Sequence, residues 1–174
     1  MSAIWDVIAV EAERESALWG AALRPQSERE LEPVFSPLGE ERFALGLETI
    51  YEGYLLHYGR PRLFAPADRD TVLLLGDYLY AHGLVRVAAH GEVGAVSDLA
   101  ELISLCAQRR ADGSDGDGPA WAATAALLGT GSLSGARDAL RLADDPEPLS
   151  ELAYRAAGDA AVARALASHR ARLG

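Results

Sequence analysis

Glu48 and Glu52 stand four residues apart in Leu47-Glu48-Thr49-Ile50-Tyr51-Glu52, so a helix carries both carboxylates on one face. Such a pair can offer oxygen ligands to a divalent cation, but Mg²⁺ takes an octahedral set and keeps several waters, which one pair cannot complete. A solvated or Arg-paired face is the competing use. Arg60 and Arg62 flank Pro61 at a predicted helix end; guanidinium groups suit bidentate phosphate contacts, and in an acidic chain they suit ion pairs equally well. Asp77 interrupts the apolar run 71–84. A buried carboxylate needs hydrogen bonds or a positive partner, and Tyr54, His57, Tyr80, His82 or an Arg from another helix could provide them. A residual cavity lined by Asp77 and His82 is the functional alternative, although five residues of separation put them on different sides of a helix. Glu48, Glu52, Arg60, Arg62, Asp77 and His82 are therefore the ligand-binding candidates, with Glu48 and Glu52 as the only metal candidates and no catalytic residue assigned. His57, His82 and His90 lack ligand spacing, and Cys106 has no adjacent activator.

The elements that must position these groups are helices. Ile4, Ile8, Ala12 and Leu18-Trp19 recur at helical spacing up to a stop at Pro25, and Phe43, Leu47, Ile50, Tyr54 and Leu55 form a wide stripe over about 39–58. Pro66, Asp68 and Asp70 suit the first turn of a third helix reaching about Gly91, because carboxylates favour unpaired backbone donors there. Its apolar residues cover nearly the whole circumference, the pattern of a helix buried in a bundle. Further helices are predicted over 93–109, 121–128, 133–142 and 149–173. Asp144-Asp145-Pro146 reads as the start of the last of these, with Asp145 as the cap. The Gly- and Asp-rich stretch 111–119 reads as a flexible loop; Asp112, Asp115 and Asp117 superficially suggest Ca²⁺ ligands, but no closing Glu follows. Period-two alternation is missing, so no sheet is expected. The prediction is a single all-α domain, 1–174, a bundle of six to seven helices with Tyr54, Leu75, Leu79, Leu84, Leu99 and Ile103 in its core.

Composition narrows the function classes. Hydrophobic residues make up 49 % and charged residues 24 % of the 174 residues, ordinary globular usage. A net charge of -10 argues against nucleic-acid binding, which needs a basic surface. All 16 basic residues apart from His are Arg. One cysteine, Cys106, excludes an internal disulfide, fits a reducing compartment and is expected in the core. The first 19 residues lack a basic start and an apolar block, and no apolar window approaches the length of a membrane span, so a cytoplasmic location is expected.

The segment Leu73-Leu74-Leu75-Gly76-Asp77-Tyr78-Leu79-Tyr80-Ala81 resembles the Gly-Asp helix of the polyprenyl synthetases, the trans-isoprenyl diphosphate synthases. The resemblance extends weakly over 48–110. It implies an isoprenoid-synthase-like helical bundle with a central apolar cavity and a dimerising helical face. Members that transfer prenyl groups carry two Asp-Asp-x-x-Asp motifs. Glu48 and Glu52 stand where the first would be, Asp144-Asp145 is the only late candidate for the second, and Arg60 and Arg62 echo the diphosphate-gripping segment. Neither full motif is present. The resemblance therefore implies a non-catalytic pseudoenzyme without a cofactor, either a regulatory or small subunit of a homo- or hetero-oligomer that could include an intact prenyl synthase, or a binder of an isoprenoid-like apolar ligand. An active Mg²⁺-dependent prenyltransferase and a small helical adaptor of accidental resemblance are the alternatives.

Overall fold

A computed structural model describes residues 2–173. The fold is all-α, and helices account for 74 % of it. The described residues form α1 (Ser2–Glu15), α2 (Ala17–Ala21), α3 (Ala44–Tyr58), α4 (Arg69–Ala88), α5 (Val93–Ala111), α6 (Asp117–Ala126), α7 (Ser134–Ala143), α8 (Glu147–Ala157) and α9 (Asp159–Leu173), with 3-10 turns at Gln26–Glu28, Ser36–Leu38 and Glu41–Phe43. They contain no strand; Leu23 and Phe64 form one isolated antiparallel bridge.

Among the described residues nine helices stand in place of the predicted six to seven, because two predicted helices are each broken once. Ser16 leaves helical geometry at φ -154° and ψ 133°, and its side chain accepts from the Leu18 amide, capping α2. Gly158 adopts φ 83° and ψ 153° between α8 and α9, a conformation essentially reserved for glycine. Other boundaries follow capping chemistry. Asp68 accepts from the Thr71 amide at 2.9 Å to start α4, which holds the Asp68 carboxyl below its usual range, and Asp145 accepts from the Glu147 amide at 3.0 Å.

The helix buried in the middle is α3, not α4 as the apolar circumference of 71–84 predicted. Twelve of the fifteen α3 residues are buried, whereas Leu73, Leu74 and Val85 on α4 are 43 %, 57 % and 64 % exposed. The reason is local. Glycines seven apart on α3 (Gly46, Gly53) meet glycines seven apart on α4 (Gly76, Gly83), so the two helices approach closely along one side of α4. A Cβ on Gly53 would lie 2.9 Å from the Gly76 carbonyl oxygen, and one on Gly83 would lie 3.0 Å from that of Gly46. With α4 pressed against α3 along this seam, its remaining leucines face outward.

Aromatic and aliphatic side chains fill the interior around α3, α5 and α6, including Tyr54 and Leu99 at 0 % exposure. Leu75 and Leu79 belong to a second cluster with Trp5, Ile8 and Phe64. Leu84 and Ile103 pack partly buried against the first. Cys106 is buried, and burial pushes its thiol well above the usual range.

The loop predicted over 111–119 is shorter. Ala111 closes α5, while Asp117, Gly118 and Pro119 already belong to α6. Gly113 and Gly116 turn the chain at φ 66° and 120°, and Arg109 donates through Nε to the Asp115 carbonyl at 2.7 Å.

Candidate functional site

Glu48 and Glu52 project from α3 toward the segment that follows it, and both are buried with Arg62. Arg62 donates from a terminal guanidinium nitrogen to Glu48 Oε2 at 2.6 Å and from Nε to Glu52 Oε2 at 3.0 Å. The other oxygens hold backbone: Glu48 Oε1 accepts from the Val34 and Ser36 amides, at 3.3 and 3.2 Å, and Glu52 Oε1 from the Arg62 and Leu63 amides, at 2.8 and 2.7 Å. Every carboxylate oxygen of the pair is therefore engaged. The guanidinium also lies 4.4 Å from the Trp5 ring centroid and 4.9 Å from that of Tyr51. Burial by itself would lower the Arg62 pKa, but the two carboxylates outweigh it and raise it. This arrangement ties two connecting segments to α3, as a structural clamp does.

The remaining candidates are scattered. Arg60 is exposed and pairs with Glu30. Asp77, expected in a buried network, has a side chain 71 % exposed; its Oδ1 lies 3.2 Å from His57 Nε2, close enough for charge contact but without hydrogen-bond alignment. Its neighbour explains the Gly-Asp pair. A Cβ at residue 76 would meet His57 Nε2 at 2.6 Å, so only glycine lets the imidazole lie across α4. His82 lies on another side of α4, bonded to Glu11 Oε2 at 2.7 Å and stacked on Tyr78. Hydrogen bonds from His82 and Arg86 outweigh partial burial and lower the Glu11 pKa. Asp77 and His82 thus share no cavity.

A different cluster emerges where α3, α5, α6 and α9 meet. Tyr54 donates to Asp117 Oδ2, which also accepts from Arg110 Nε at 2.6 Å. Arg110 reaches the Tyr54 hydroxyl at 3.0 Å as well. Tyr51 Oη lies 2.9 Å from His169 Nδ1. Tyr51 and Tyr54 pack edge-on against Trp121, and the Tyr54 and His169 rings stack at 5.7 Å. Burial raises the tyrosine pKa values at 51 and 54 far above the ordinary phenol range. Burial, reinforced by Arg110 and Arg170, lowers His169 to about 4, which keeps the imidazole neutral at pH 7. Arg110, Asp117, Leu166, His169, Arg170 and Leu173 line a pocket of about 300 Å³ beside this cluster.

No protein-family model matches the chain, and no curated protein or solved structure is detectably similar to it. The site is therefore read from its chemistry alone. Sequence reasoning missed it because its members lie far apart along the chain, from Tyr51 to His169. The local pattern puts Asp117 in the 111–119 loop and His169 in the helix over 149–173, with nothing to join them. One signal was available: acidic residues followed by Gly-Pro before an Ala-rich run can begin a helix with a carboxylate in its first turn.

Proposed function

We propose that the protein acts by binding rather than by metal-dependent prenyl transfer, as a non-catalytic relative of the polyprenyl synthetases. The observation carrying this reading is the saturation of Glu48 and Glu52. The carboxylates that stand where the resembled family places its first metal motif each spend one oxygen on Arg62 and the other on two backbone amides. Recruiting them to Mg²⁺ would strip a buried guanidinium of its counter-charges, a change that costs several kcal/mol. The middle of the bundle is occupied by Tyr51, Tyr54, Phe35 and Trp121, so ligand capture falls to the pocket beside Asp117 and His169 rather than to a central apolar cavity.

A subunit role is the second reading, favoured by the outer face of α4, where Leu74, Ala81, Val85 and Ala88 are exposed at helical spacing. No helix among the described residues is long and apolar enough to cross a membrane. A cytoplasmic location is part of the proposal, supported by the single buried thiol.

Calorimetric titration with allylic diphosphates, with and without Mg²⁺, tests the reading alongside assays for chain elongation with isopentenyl diphosphate. The expected result is no Mg²⁺-dependent binding and no product. Turnover by the purified chain, abolished by Glu48→Gln, would defeat it.

A further inference from the structure

Among the described residues, α4 holds three exposed large hydrophobic side chains, Leu73, Leu74 and Val85, and no other helix holds more than one. Leu74, Ala81 and Val85 recur at seven- and four-residue steps, so they line up along the outer face of the helix. The glycine seam fixes that orientation, because Gly76 and Gly83 turn the opposite side of α4 against α3. At the middle of the line stands Ala81, whose small side chain lets a second helix come close.

Carboxylates border this line on both edges. Asp70 and Asp77, seven apart and both exposed, stand on one edge. On the other, Tyr78 lies 5.9 Å from the Trp19 ring of α2. Burial, followed by the Glu15 and Glu11 charges, raises the Tyr78 pKa, which sets those carboxylates of α1 beside that edge. The cations here are already engaged: Arg86 bonds to Glu11 and Thr49, and His82 bonds to Glu11. Arg69 lies outside the outward-facing series.

What covers such a face has to bring apolar side chains in a line with positive charge on either side. A second copy of the chain does the opposite. Asp77 lies near the middle of α4, so a two-fold contact centred on this face sets Asp77 against its own copy, between two chains that each carry a net charge of -10.

We infer that the outer face of α4 docks an amphipathic helix of another protein, one whose apolar stripe is flanked by Lys or Arg. The assignment rests on the reading of the chain as a subunit and states the chemistry of its partner.

The test uses the whole chain, ¹⁵N-labelled, and a designed helical peptide of about 18 residues, long enough to run most of the length of α4. Leucines fill one helical stripe of the peptide and lysines the rest; one control replaces each lysine by glutamate, and another scrambles the order. The lysine peptide should bind with a Kd of about 10 µM, at least about tenfold more tightly than either control, and shift the amide resonances of Leu74, Tyr78, Ala81 and Val85. Ala81→Arg, at an exposed position that a good helix former tolerates, should weaken it about tenfold. Asp70→Asn combined with Asp77→Asn should weaken it about threefold and flatten its salt dependence. No binding at a peptide concentration of about 100 µM, equal binding of either control, shifts confined to another face, or a wild-type chain that sediments as a dimer broken by Ala81→Arg would each overturn the assignment. Silence toward the peptide while prenyl-transfer assays also stay silent removes only this partner; Mg²⁺-dependent turnover removes the binding reading itself.

Discussion

Replacing Arg62 by Met is the perturbation that discriminates most sharply between a structural clamp and a latent metal site. The substitution keeps much of the apolar stem that lies against Trp5 and Tyr51 but deletes the guanidinium, leaving Glu48 and Glu52 at 1 % and 0 % exposure without their counter-charge. Removing one member of a buried ion network costs about 3–5 kcal/mol, because the survivors stay desolvated and unpaired. Against a total stability of roughly 5–15 kcal/mol this is a large fraction, and for a chain of this size it lowers the melting temperature by roughly 6–20 °C. The partner substitutions sharpen the test. In Glu48→Gln and Glu52→Gln the amide oxygen can still accept from the backbone amides that Oε1 now binds, so what is removed is the charge and the hydrogen bond that Oε2 accepts from Arg62. Arg62→Met combined with both glutamines should recover much of the loss, since no unpaired charge then remains. Urea unfolding of the single, double and triple variants, each with and without millimolar Mg²⁺, measures this directly. A loss below about 1 kcal/mol for Arg62→Met, or a wild-type protein stabilised by Mg²⁺ in a manner that Glu48→Gln abolishes, would refute the clamp and with it the argument against a metal site.

Three further outcomes are expected. His169 titrates near 4 in the folded chain against 6.5 for the free side chain; the unfolded chain therefore binds more protons between these values, so stability is full above pH 6.5 and falls by roughly 3 kcal/mol on going down to pH 4. Chemical unfolding across that window, compared with His169→Gln, should show the dependence vanish with the imidazole. Gly53→Ala gains about 1 kcal/mol of helix propensity but forces a methyl to 2.9 Å from the Gly76 carbonyl; overpacking of about 1–3 kcal/mol should win, so the variant should melt lower than the parent. Asp77→Ala removes only a largely exposed contact to His57 and should change unfolding free energy by less than about 1 kcal/mol, a result a buried structural carboxylate would not give.

How much of this was legible in the sequence varies with the range of the interaction. The helices at 93–109 and 133–142 could be placed to within about two residues, because apolar spacing and capping act over one or two turns. The Arg-paired use of Glu48 and Glu52 was one of two readings left open, since i, i+4 spacing fixes a shared face but not what faces it. The burial of α4 is not legible for a related reason: periodicity reports which residues are apolar, while only the glycine seam with α3 decides which side of the helix is covered. Asp77 shows the same limit, standing in an apolar run yet pointing outward beside His57.

The amino-acid sequence by itself determined an all-α chain, its principal helix starts, a buried Cys106 and an acidic surface, because these follow from local hydrogen bonding, side-chain periodicity and net charge. Tertiary structure alone decided that Arg62 neutralises the α3 carboxylates and that Tyr51, Tyr54, Arg110, Asp117 and His169 converge from four helices. Those contacts join residues up to 118 positions apart. No local rule carries such pairings; they exist because packing α3 at the centre brings α5, α6 and α9 to its polar side chains, where burial favours polar groups that find one another.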